Sequence, residues 1–533
     1  MKLDTLLING RAYTMVAPDQ TAESIGFFQG RIAFLGTNKE ASELQADEVI
    51  DLHGQTVLPG MVDSHMHLYA YCQAKNCVDL SKAKSLEDII RLLRSAASRI
   101  PEGHWIRGYN FDENKWADKV KPTRNDLDRA SIKHPIMIKR CCLHTVVANT
   151  TAMRIAGIAE IPIEVPNGII EVDPKGFPNG TIREGAISLI EKIADNPLNN
   201  EEMRDETLEM TMREMLSKGV TAVYTYAAEN WGFYENANVY RRLYDRNKLP
   251  LRINVSYDRL FTKEKLTEAE KNDPYRMVEQ GSYKLFCDGS LGARSAALKK
   301  DYTDDPGNRG FLMYGEKTLT KKIVEGLRLG LQPAIHAIGD RALEQAVSAI
   351  ETALEIMKKE YPERPPKEYS FRIIHAQLVT EELVQRMSKL PVYIDVQPIF
   401  LKSDINFISQ RIGQERLKGA YAWQTMLEAG LVLTSGSDCP VETYEPLKGI
   451  HVAVNGVGDG AIGETVSVFD AISMYTKNPY MAAGKDNVLG TLSHGKFADV
   501  VVLDRDPFTI CKTQIEKIKV LRTYVAGKLQ YKA

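Results

Sequence analysis

Residues 56–67, TVLPGMVDSHMH, provide the framework for interpreting this chain. The segment is an apolar run that ends in His65 and His67, and such runs are typical of strands buried in a parallel sheet. Positions i and i+2 of a strand face the same side, so both imidazoles point to one place beyond the strand's end. Taken alone, the pair fits a metal site, although packing of two buried histidines is the commoner explanation.

Seven further segments of the same kind follow. They are GVTAVYTYA (219–227), LRINVSYD (251–258), SYKLFCDGS (282–290), LQPAIHAIGD (331–340), FRIIHAQLV (371–379), VYIDVQPIF (392–400) and LVLTSGSD (431–438). Helical periodicity separates most of them, as in residues 340–360 and 380–390. The alternation of eight strands with helices predicts an α/β fold, specifically a (β/α)₈ barrel of the TIM type.

Both ends of the chain have a different pattern. Short β-branched and aromatic runs with NG, QG and HG turns occupy the first 60 residues, and similar runs return over residues 495–504 and 518–532. We therefore predict that residues 1–57 and 484–533 form one composite β-sandwich domain. Residues 58–483 are then left for the barrel.

A large insertion, residues 70–215, separates the first and second barrel strands and is far longer than a normal connection. It contains a further candidate strand, PIMIKRCCLH (135–144). Its large aromatic residues include Trp105, Tyr109, Phe111 and Trp116. Because the insertion leaves the carboxyl end of a barrel strand, we predict that it shapes a pocket for a substrate with an apolar or aromatic substituent. An outer decoration or a dimer contact is the alternative.

The bulk composition argues against several classes of protein. With 68 basic and 70 acidic residues the net charge is −2, which gives no general attraction for nucleic acid or for an anionic membrane surface. Seven scattered cysteines without a CxxC pair indicate a reducing compartment rather than a disulfide framework. We find no signal peptide and no apolar run of about 18 residues, so we expect a soluble cytoplasmic protein.

Polar residues recur at the strand ends, where barrel enzymes carry their sites. His336, His375 and Asp438 each end an otherwise apolar strand. Lys284 lies inside another strand, where burial requires a partner or a modification. Together with the first histidine pair, these residues place six polar groups on five strands, a pattern that favours metal binding over packing.

Imidazoles and a carboxylate suit Zn²⁺ or a similar divalent ion. Four histidines and one aspartate exceed what one catalytic zinc uses, so two metals roughly 3.5–4 Å apart would fit. Two metals need a bridging anion. A lysine carboxylated by CO₂ would provide one at Lys284, because it presents two oxygens and a negative charge.

Nine motifs along the chain carry a family resemblance: LPGMVDSHMH, WIRGYNFDENKW, HTVVANTTAMRIAGI, PNGTIREGA, YKLFCDGSLGARSA, HAIGDRA, IIHAQLV, GSDCPV and GKFADVVVLDRDP. In these motifs the chain resembles the amidohydrolase superfamily of metal-dependent hydrolases. More narrowly, it is similar to the branch that contains YtcJ-like hydrolases and N-substituted formamide deformylases. The resemblance implies the barrel together with the composite β-sandwich, and it covers essentially the whole chain.

The resemblance also implies a role for each polar residue: the more buried metal is held by His65, His67 and Asp438, the second by His336 and His375, and carboxylated Lys284 bridges them. Because members of the superfamily vary between one and two metals, a mononuclear site is the alternative. In that case Lys284 would be a simple ligand partner.

The predicted activity is hydrolysis of a non-peptide carbon–nitrogen bond, an amide or N-formyl group, in a small molecule. Metal-activated hydroxide would attack the carbonyl, while Asp438 accepts a proton and delivers it to the leaving amine.

Ester or lactone hydrolysis would use the same site. Deamination is less favoured because Gly339 occupies the position of the glutamate found in related deaminases, and a non-catalytic scaffold is least favoured because every ligand position is filled. We expect a homodimer, as in many relatives.

Two further residues are candidate substrate contacts. The resemblance suggests that His144, at the end of the insertion's candidate strand, faces the substrate, although a structural role fits the pattern equally well. Arg294 follows the Lys284 strand and could bind an anionic substrate group, or it could pair with Asp288 or Asp340.

Overall fold

Eight parallel strands form the central sheet of the computed structural model, which describes residues 2–161, 163–196, 198–228, 235–261, 276–458 and 462–533. Numbered along the chain, they are β1 (Met61–Met66), β2 (Val220–Tyr226), β3 (Arg252–Tyr257), β4 (Val278–Phe286), β5 (Pro333–Ala337), β6 (Phe371–His375), β7 (Val392–Val396) and β8 (Val432–Ser435). Each strand pairs in parallel with the next one in the chain. The predicted α/β barrel is confirmed, and each predicted barrel segment overlaps one of these strands.

The seam between β1 and β8 is closed by the segment that follows β8. The Asp438 N–H donates to the His65 carbonyl at 2.7 Å, and the His67 N–H donates to the Cys439 carbonyl at 2.8 Å. Gly436 packs so closely on β1 that a Cβ there would lie 2.4 Å from the His65 nitrogen. The two histidines and the aspartate are therefore neighbours because they lie on the two sides of this seam.

Helices follow the barrel strands along the chain. They are Leu68–Lys75 and Glu201–Leu216 after β1, Ala237–Asp245 after β2, Glu316–Arg328 after β4, Asp340–Glu360 after β5, Glu381–Met387 after β6, Leu401–Asp404, Ile408–Leu417 and Trp423–Glu428 after β7, and Pro446–Asn455, Val468–Tyr475 and Lys477–Ala482 after β8. Short 3-10 helices cover Pro366–Glu368 and Pro398–Phe400. Both helices predicted from periodicity are found, and the second begins where the Thr380 side chain accepts the Leu383 N–H. Among the described residues, no helix has the length and apolarity needed to cross a membrane.

The segment predicted as the first barrel strand is in fact two strands that meet at Gly60. Thr56–Pro59 pairs antiparallel with Val500–Leu503 near the chain end, and only Met61–Met66 enters the barrel. A Cβ at Gly60 would lie 2.2 Å from the Thr221 hydroxyl oxygen, so the chain passes β2 at a distance that only glycine permits. An apolar run without a polar break concealed this junction in the sequence.

The chain ends form two sheets outside the barrel, as far as the chain is described. One has the strand order Lys528–Lys532, Val520–Val525, Val500–Leu503, Thr56–Pro59, Arg11–Tyr13 and Thr21–Ala22, and so combines both ends of the chain. The other has the order Arg31–Gly36, Ser24–Phe28, Leu3–Ile8 and Ala46–Asp51. Buried apolar residues of both sheets share one cluster, in which the rings of Phe27 and Tyr524 lie 5.5 Å apart. A short helix, Asn38–Ala41, and a 3-10 helix, Lys512–Lys517, complete these regions.

The insertion builds a sheet of its own. Its strand order is Gly168–Val172, Pro178–Glu184, Thr145–Ala148, Ile136–Arg140, Ile106–Phe111 and Val78–Asp79. Its helices are Leu86–Ala97, Arg124–Asp128, Thr150–Ile155 and Ser188–Glu191, with 3-10 turns at Glu113–Lys115 and Gly185–Ile187. The candidate strand at 135–144 thus lies in the insertion, as predicted, and not in the barrel.

A buried ion pair connects the barrel to the sheet that combines both chain ends. Arg252 on β3 donates from Nε and Nη2 to the two carboxylate oxygens of Asp499, at 2.7 and 2.8 Å. Asp499 also accepts the Ala526 N–H through Oδ1 and the Gly60 N–H through its carbonyl, both at 2.9 Å. A bidentate charged pair in a buried position is strong only while both partners are present.

We expect Asp499→Ala to lower the free energy of unfolding by about 3–5 kcal/mol, because the Arg252 charge would stay buried without its carboxylate. Urea denaturation followed by tryptophan fluorescence measures the change. Asp47→Ala, which breaks an exposed pair with Lys2, is the matched control and should cost less than about 1 kcal/mol. Equal costs for the two variants would contradict the role given to the buried pair.

Candidate metal centre

Three predicted ligands meet at the carboxyl end of the barrel. The Asp438 Oδ1 atom lies 3.4 Å from His65 Nε2 and 3.2 Å from His67 Nε2. One candidate ligand atom from each of the three side chains lies within 4.8 Å of the others, and all three residues are buried. This spacing is compatible with three ligands of a single ion.

The two remaining histidines lie beside this group. The rings of His336 and His375 have centroids 4.5 Å apart, and the His375 ring lies 5.7 Å from the His65 ring. His375 has a φ of 76° and Asp438 a φ of 55°, values that non-glycine residues rarely adopt. Strained backbone of this kind is concentrated at functional sites, where the surrounding structure holds it in place.

Outer hydrogen bonds set the orientation of three imidazoles. His67 Nδ1 lies 2.6 Å from the Tyr226 carbonyl, and His375 Nδ1 lies 2.6 Å from Gln397 Oε1. His336 uses its other nitrogen, Nε2, at 3.1 Å from the Gly289 carbonyl. Because each of these acceptors takes an N–H of its imidazole, the opposite nitrogen is the one that can offer a lone pair to a metal.

Lys284 extends from β4 to the same point. Its Nζ lies 3.5 Å from His65 Nε2, and it stands 5.1 and 4.8 Å from the ring centroids of Tyr226 and Phe286. Burial lowers the pKa of Lys284 to about 7, and the Asp438 carboxylate only partly opposes that shift. A neutral amine is therefore accessible near neutral pH, and only a neutral amine can be carboxylated.

The donors of this site fit a divalent cation. Burial lowers the pKa of His375 to about 3 and holds that of His65 well below its usual value, so both rings are neutral at physiological pH. Burial alone would raise the pKa of Asp438, but the adjacent His65 and His67 imidazoles hold it well below its usual range. Within the described ranges, His65 Nδ1 and Asp438 Oδ1 are buried without a hydrogen bond. Neutral imidazoles and an under-satisfied carboxylate are the donor set of a zinc-like ion.

A cavity of about 560 Å³ opens over this centre. His336, His375 and Asp438 form part of its lining, and the insertion contributes Tyr109 and His144. Among the insertion's predicted pocket aromatics, Tyr109 alone lies in this lining as described. Phe111 and Trp116 pack in the insertion's own core, and Trp105 lines a separate surface pocket. Three of the four aromatic residues noted in the insertion therefore lie away from the central cavity.

His144 faces this cavity with a carboxylate behind it. Its Nδ1 lies 2.8 Å from Oε2 of Glu184, which is fully buried. Burial lowers the pKa of His144, but the Glu184 carboxylate outweighs that effect and leaves the pKa raised. The position fits the predicted substrate contact, which stays a prediction.

Arg294 lies outside the main cavity and lines a smaller one of about 120 Å³. Its guanidinium pairs with Asp304, with Nη2 at 2.9 Å from Oδ2, so neither partner considered from the sequence is the one found. The Asp288 carboxylate instead accepts backbone N–H groups of Ala297, Ile338 and Gly339. The ion pair with Asp304 already engages the charge of Arg294. The predicted contact between Arg294 and a substrate stays a prediction.

Sequence reasoning missed several residues that support the site. Asp288 lies two residues beyond the end of β4, so the rule of polar strand ends could have found it. Burial raises the pKa of Asp288 to about 7, although its three backbone hydrogen bonds oppose that shift. Glu184 and Gln397 had no comparable signal, because their importance depends on contacts with distant segments.

Comparison with known proteins supports this geometry. Residues 48–531 match the profile described as the amidohydrolase family. The chain belongs to the amidohydrolase family. The enzyme is 32% identical over 543 residues to YtcJ of Bacillus subtilis strain 168, with 98% of both chains covered. It is 29% identical over 549 residues to an N-substituted formamide deformylase of Arthrobacter pascens, covering 99% of this chain and 98% of that protein.

A crystal structure of a metal-dependent hydrolase from Pyrococcus horikoshii OT3 superimposes with a TM-score of 0.73 at 27% identity, covering 95% of this chain and 99% of that chain. The enzyme is thus a metal-dependent hydrolase of the amidohydrolase superfamily, as predicted.

Gln397→Met is expected to weaken Zn²⁺ affinity about 10- to 100-fold, because His375 would lose the acceptor that fixes its orientation. Competition with a chromophoric chelator measures the affinity. Gln385→Met, the same change at an exposed position of the helix after β6, is the control and should bind Zn²⁺ like the wild type. Unchanged affinity in Gln397→Met would show that the His375 contact does not support the metal.

Proposed function

We propose that the enzyme hydrolyses a non-peptide carbon–nitrogen bond, an amide or N-formyl group, in a small molecule. The observation that carries the proposal is the buried group of His65, His67 and Asp438, with under-satisfied donor atoms, at the base of a cavity large enough for a substrate. The similarity to an N-substituted formamide deformylase over almost the whole chain supports this type of bond.

In this proposal His65, His67 and Asp438 hold one divalent ion, which we propose to be Zn²⁺. His336 and His375 would hold a second, and Lys284, when carboxylated, would supply the bridging anion. The bound metal supplies Lewis acidity, which polarises a carbonyl group and acidifies water. The outer contacts of the imidazoles preserve the orientation that this requires.

Asp438 moves the proton in the proposed reaction. Its Oδ1 accepts a proton from the attacking water and returns it to the nitrogen of the leaving amine. The carboxylate suits the first of these steps because His65 and His67 keep it ionised despite burial. The second step is needed because an amide anion is a poor leaving group, whereas a neutral amine departs readily.

The remaining parts of the chain take supporting roles in this proposal. We infer that residues 1–57 and 484–533 act as a composite β-sandwich, supported by the apolar cluster that their two sheets share. Within residues 58–483 the catalytic barrel begins at β1 (Met61–Met66), since Leu58 and Pro59 belong to the outer strand Thr56–Pro59, and insertion 70–215 forms one wall of the substrate pocket. A homodimer and a cytoplasmic location stay predictions from the sequence.

Asp438→Asn should lower kcat for release of formate from an N-substituted formamide by about 10²- to 10⁴-fold, because the amide cannot accept the proton of water. Metal content is measured on the same samples, so that loss of metal is separated from loss of proton transfer. Asp47→Asn at the exposed surface is the control. A metal-replete Asp438→Asn enzyme with wild-type turnover would remove Asp438 from the proposed mechanism.

Reconstitution with a second metal should depend on pH and bicarbonate. At pH 8 the Lys284 amine, with a pKa lowered to about 7 by burial, is mostly neutral and can react with CO₂, whereas at pH 6 it is mostly protonated. The His375 imidazole does not compete for protons over this range, since burial lowers its pKa to about 3. Metal-free enzyme should therefore take up two Zn²⁺ ions at pH 8 with bicarbonate and fewer at pH 6.

Metal analysis and ¹³C NMR with labelled bicarbonate measure the two parts of this prediction. Lys284→Arg should stay at the lower metal content at both pH values, while Lys82→Arg, at an exposed position, should behave like the wild type. A carbamate signal that persists in Lys284→Arg would place the modification elsewhere.

A further inference from the structure

The turn after β6 places a polar side chain next to the candidate metal ligands. Gln377 follows His375 by two residues and lines the central cavity, although only 4% of the residue is exposed. Both His375 and Ala376 have positive φ values, 76° and 44°, so the chain bends sharply where the strand ends. Consecutive non-glycine residues in this region of φ are rare and are retained where the surroundings enforce them.

A ring of hydrogen bonds fixes the orientation of the Gln377 amide. Its Nε2 donates to Asp404 Oδ2 at 2.9 Å and to the Tyr421 hydroxyl at 2.6 Å, and this hydroxyl donates to the same Asp404 oxygen. Asp404 Oδ2 thus accepts two hydrogen bonds. Because a carboxylate oxygen accepts and does not donate, the NH₂ group of the Gln377 amide is the part that faces it. The Tyr421 N–H also donates to the Gln377 carbonyl at 2.9 Å, which holds the backbone in place.

The amide oxygen is therefore the atom of Gln377 that remains for a ligand. Both hydrogens of Nε2 are engaged, and no described residue donates to Oε1. An amide oxygen accepts hydrogen bonds and cannot donate them, so its complement is an N–H group. An ester has no such group at the scissile bond, and neither does an amide whose nitrogen carries two substituents.

We propose that Gln377 Oε1 accepts a hydrogen bond from the N–H of the scissile amide, which makes secondary amides the substrate class of the enzyme. This inference rests on the proposed amide hydrolysis and extends it by excluding esters and tertiary amides as preferred substrates. Asp404 and Tyr421 are positioning residues, since they act by holding the Gln377 amide in one orientation. A site built to accept an N–H leaves that acceptor unsatisfied with an analogue that lacks it.

The test compares three compounds with the same formyl and benzyl groups: N-benzylformamide, N-benzyl-N-methylformamide and benzyl formate. Gln377→Met keeps the size of the side chain but removes the acceptor. It should lower kcat/KM for N-benzylformamide about tenfold, the effect of one hydrogen bond, and change the values for the other two compounds by less than about twofold. Gln385→Met is the matched control and should leave all three values unchanged.

Tyr421→Phe tests the positioning role without altering Gln377, and it carries the test if Gln377→Met does not fold. It should lower kcat/KM about threefold for N-benzylformamide alone. Equal losses on the three compounds, or no loss on N-benzylformamide, would overturn the inference while leaving amide hydrolysis intact. A zinc-loaded wild-type enzyme that turns over none of the three would overturn the proposed function, and this inference with it.

Discussion

Burial of ionisable side chains at one end of the barrel is the constraint on which the rest of the structure depends. Taking an isolated charge out of water costs several kcal/mol even after the protein relaxes. The site limits that cost by keeping the His65 and His375 imidazoles neutral and by lowering the pKa of Lys284 to about 7. Asp438 stays ionised through its contacts with two histidines, and a divalent cation would balance the charge that remains.

Layers of hydrogen bonds outside and below the ligands make this arrangement rigid. The Tyr226 carbonyl and the Gln397 amide orient imidazoles from behind. Deeper in the barrel, Arg372 donates from Nε to Asp395 Oδ2 at 2.8 Å and from Nη2 to the Ser64 carbonyl at 3.2 Å. Arg372 and Asp395 are both buried, so the polar interior of the barrel continues below the site as fully paired groups.

The barrel and the gathering of six polar side chains at its carboxyl end could be inferred from the sequence because their signals are local. A strand buried on both faces gives an apolar run, and a polar residue at its end is visible without knowledge of its neighbours. The break at Gly60, the Glu184 carboxylate behind His144 and the pairing of Arg294 with Asp304 had no local signal. Each of these features depends on a contact with a segment that is distant in the sequence. Such contacts form only when the insertion and the barrel loops fold against one another.

Closure of the barrel and assembly of the site are the same event in this fold. The hydrogen bond from the Asp438 N–H to the His65 carbonyl joins the first barrel strand to the segment that follows the last one, 373 residues later in the chain. During synthesis, the histidine pair therefore emerges from the ribosome long before its carboxylate partner exists. A nascent chain that ends before residue 438 lacks the carboxylate of the His65, His67 and Asp438 group, so this group is completed only in the last stage of synthesis.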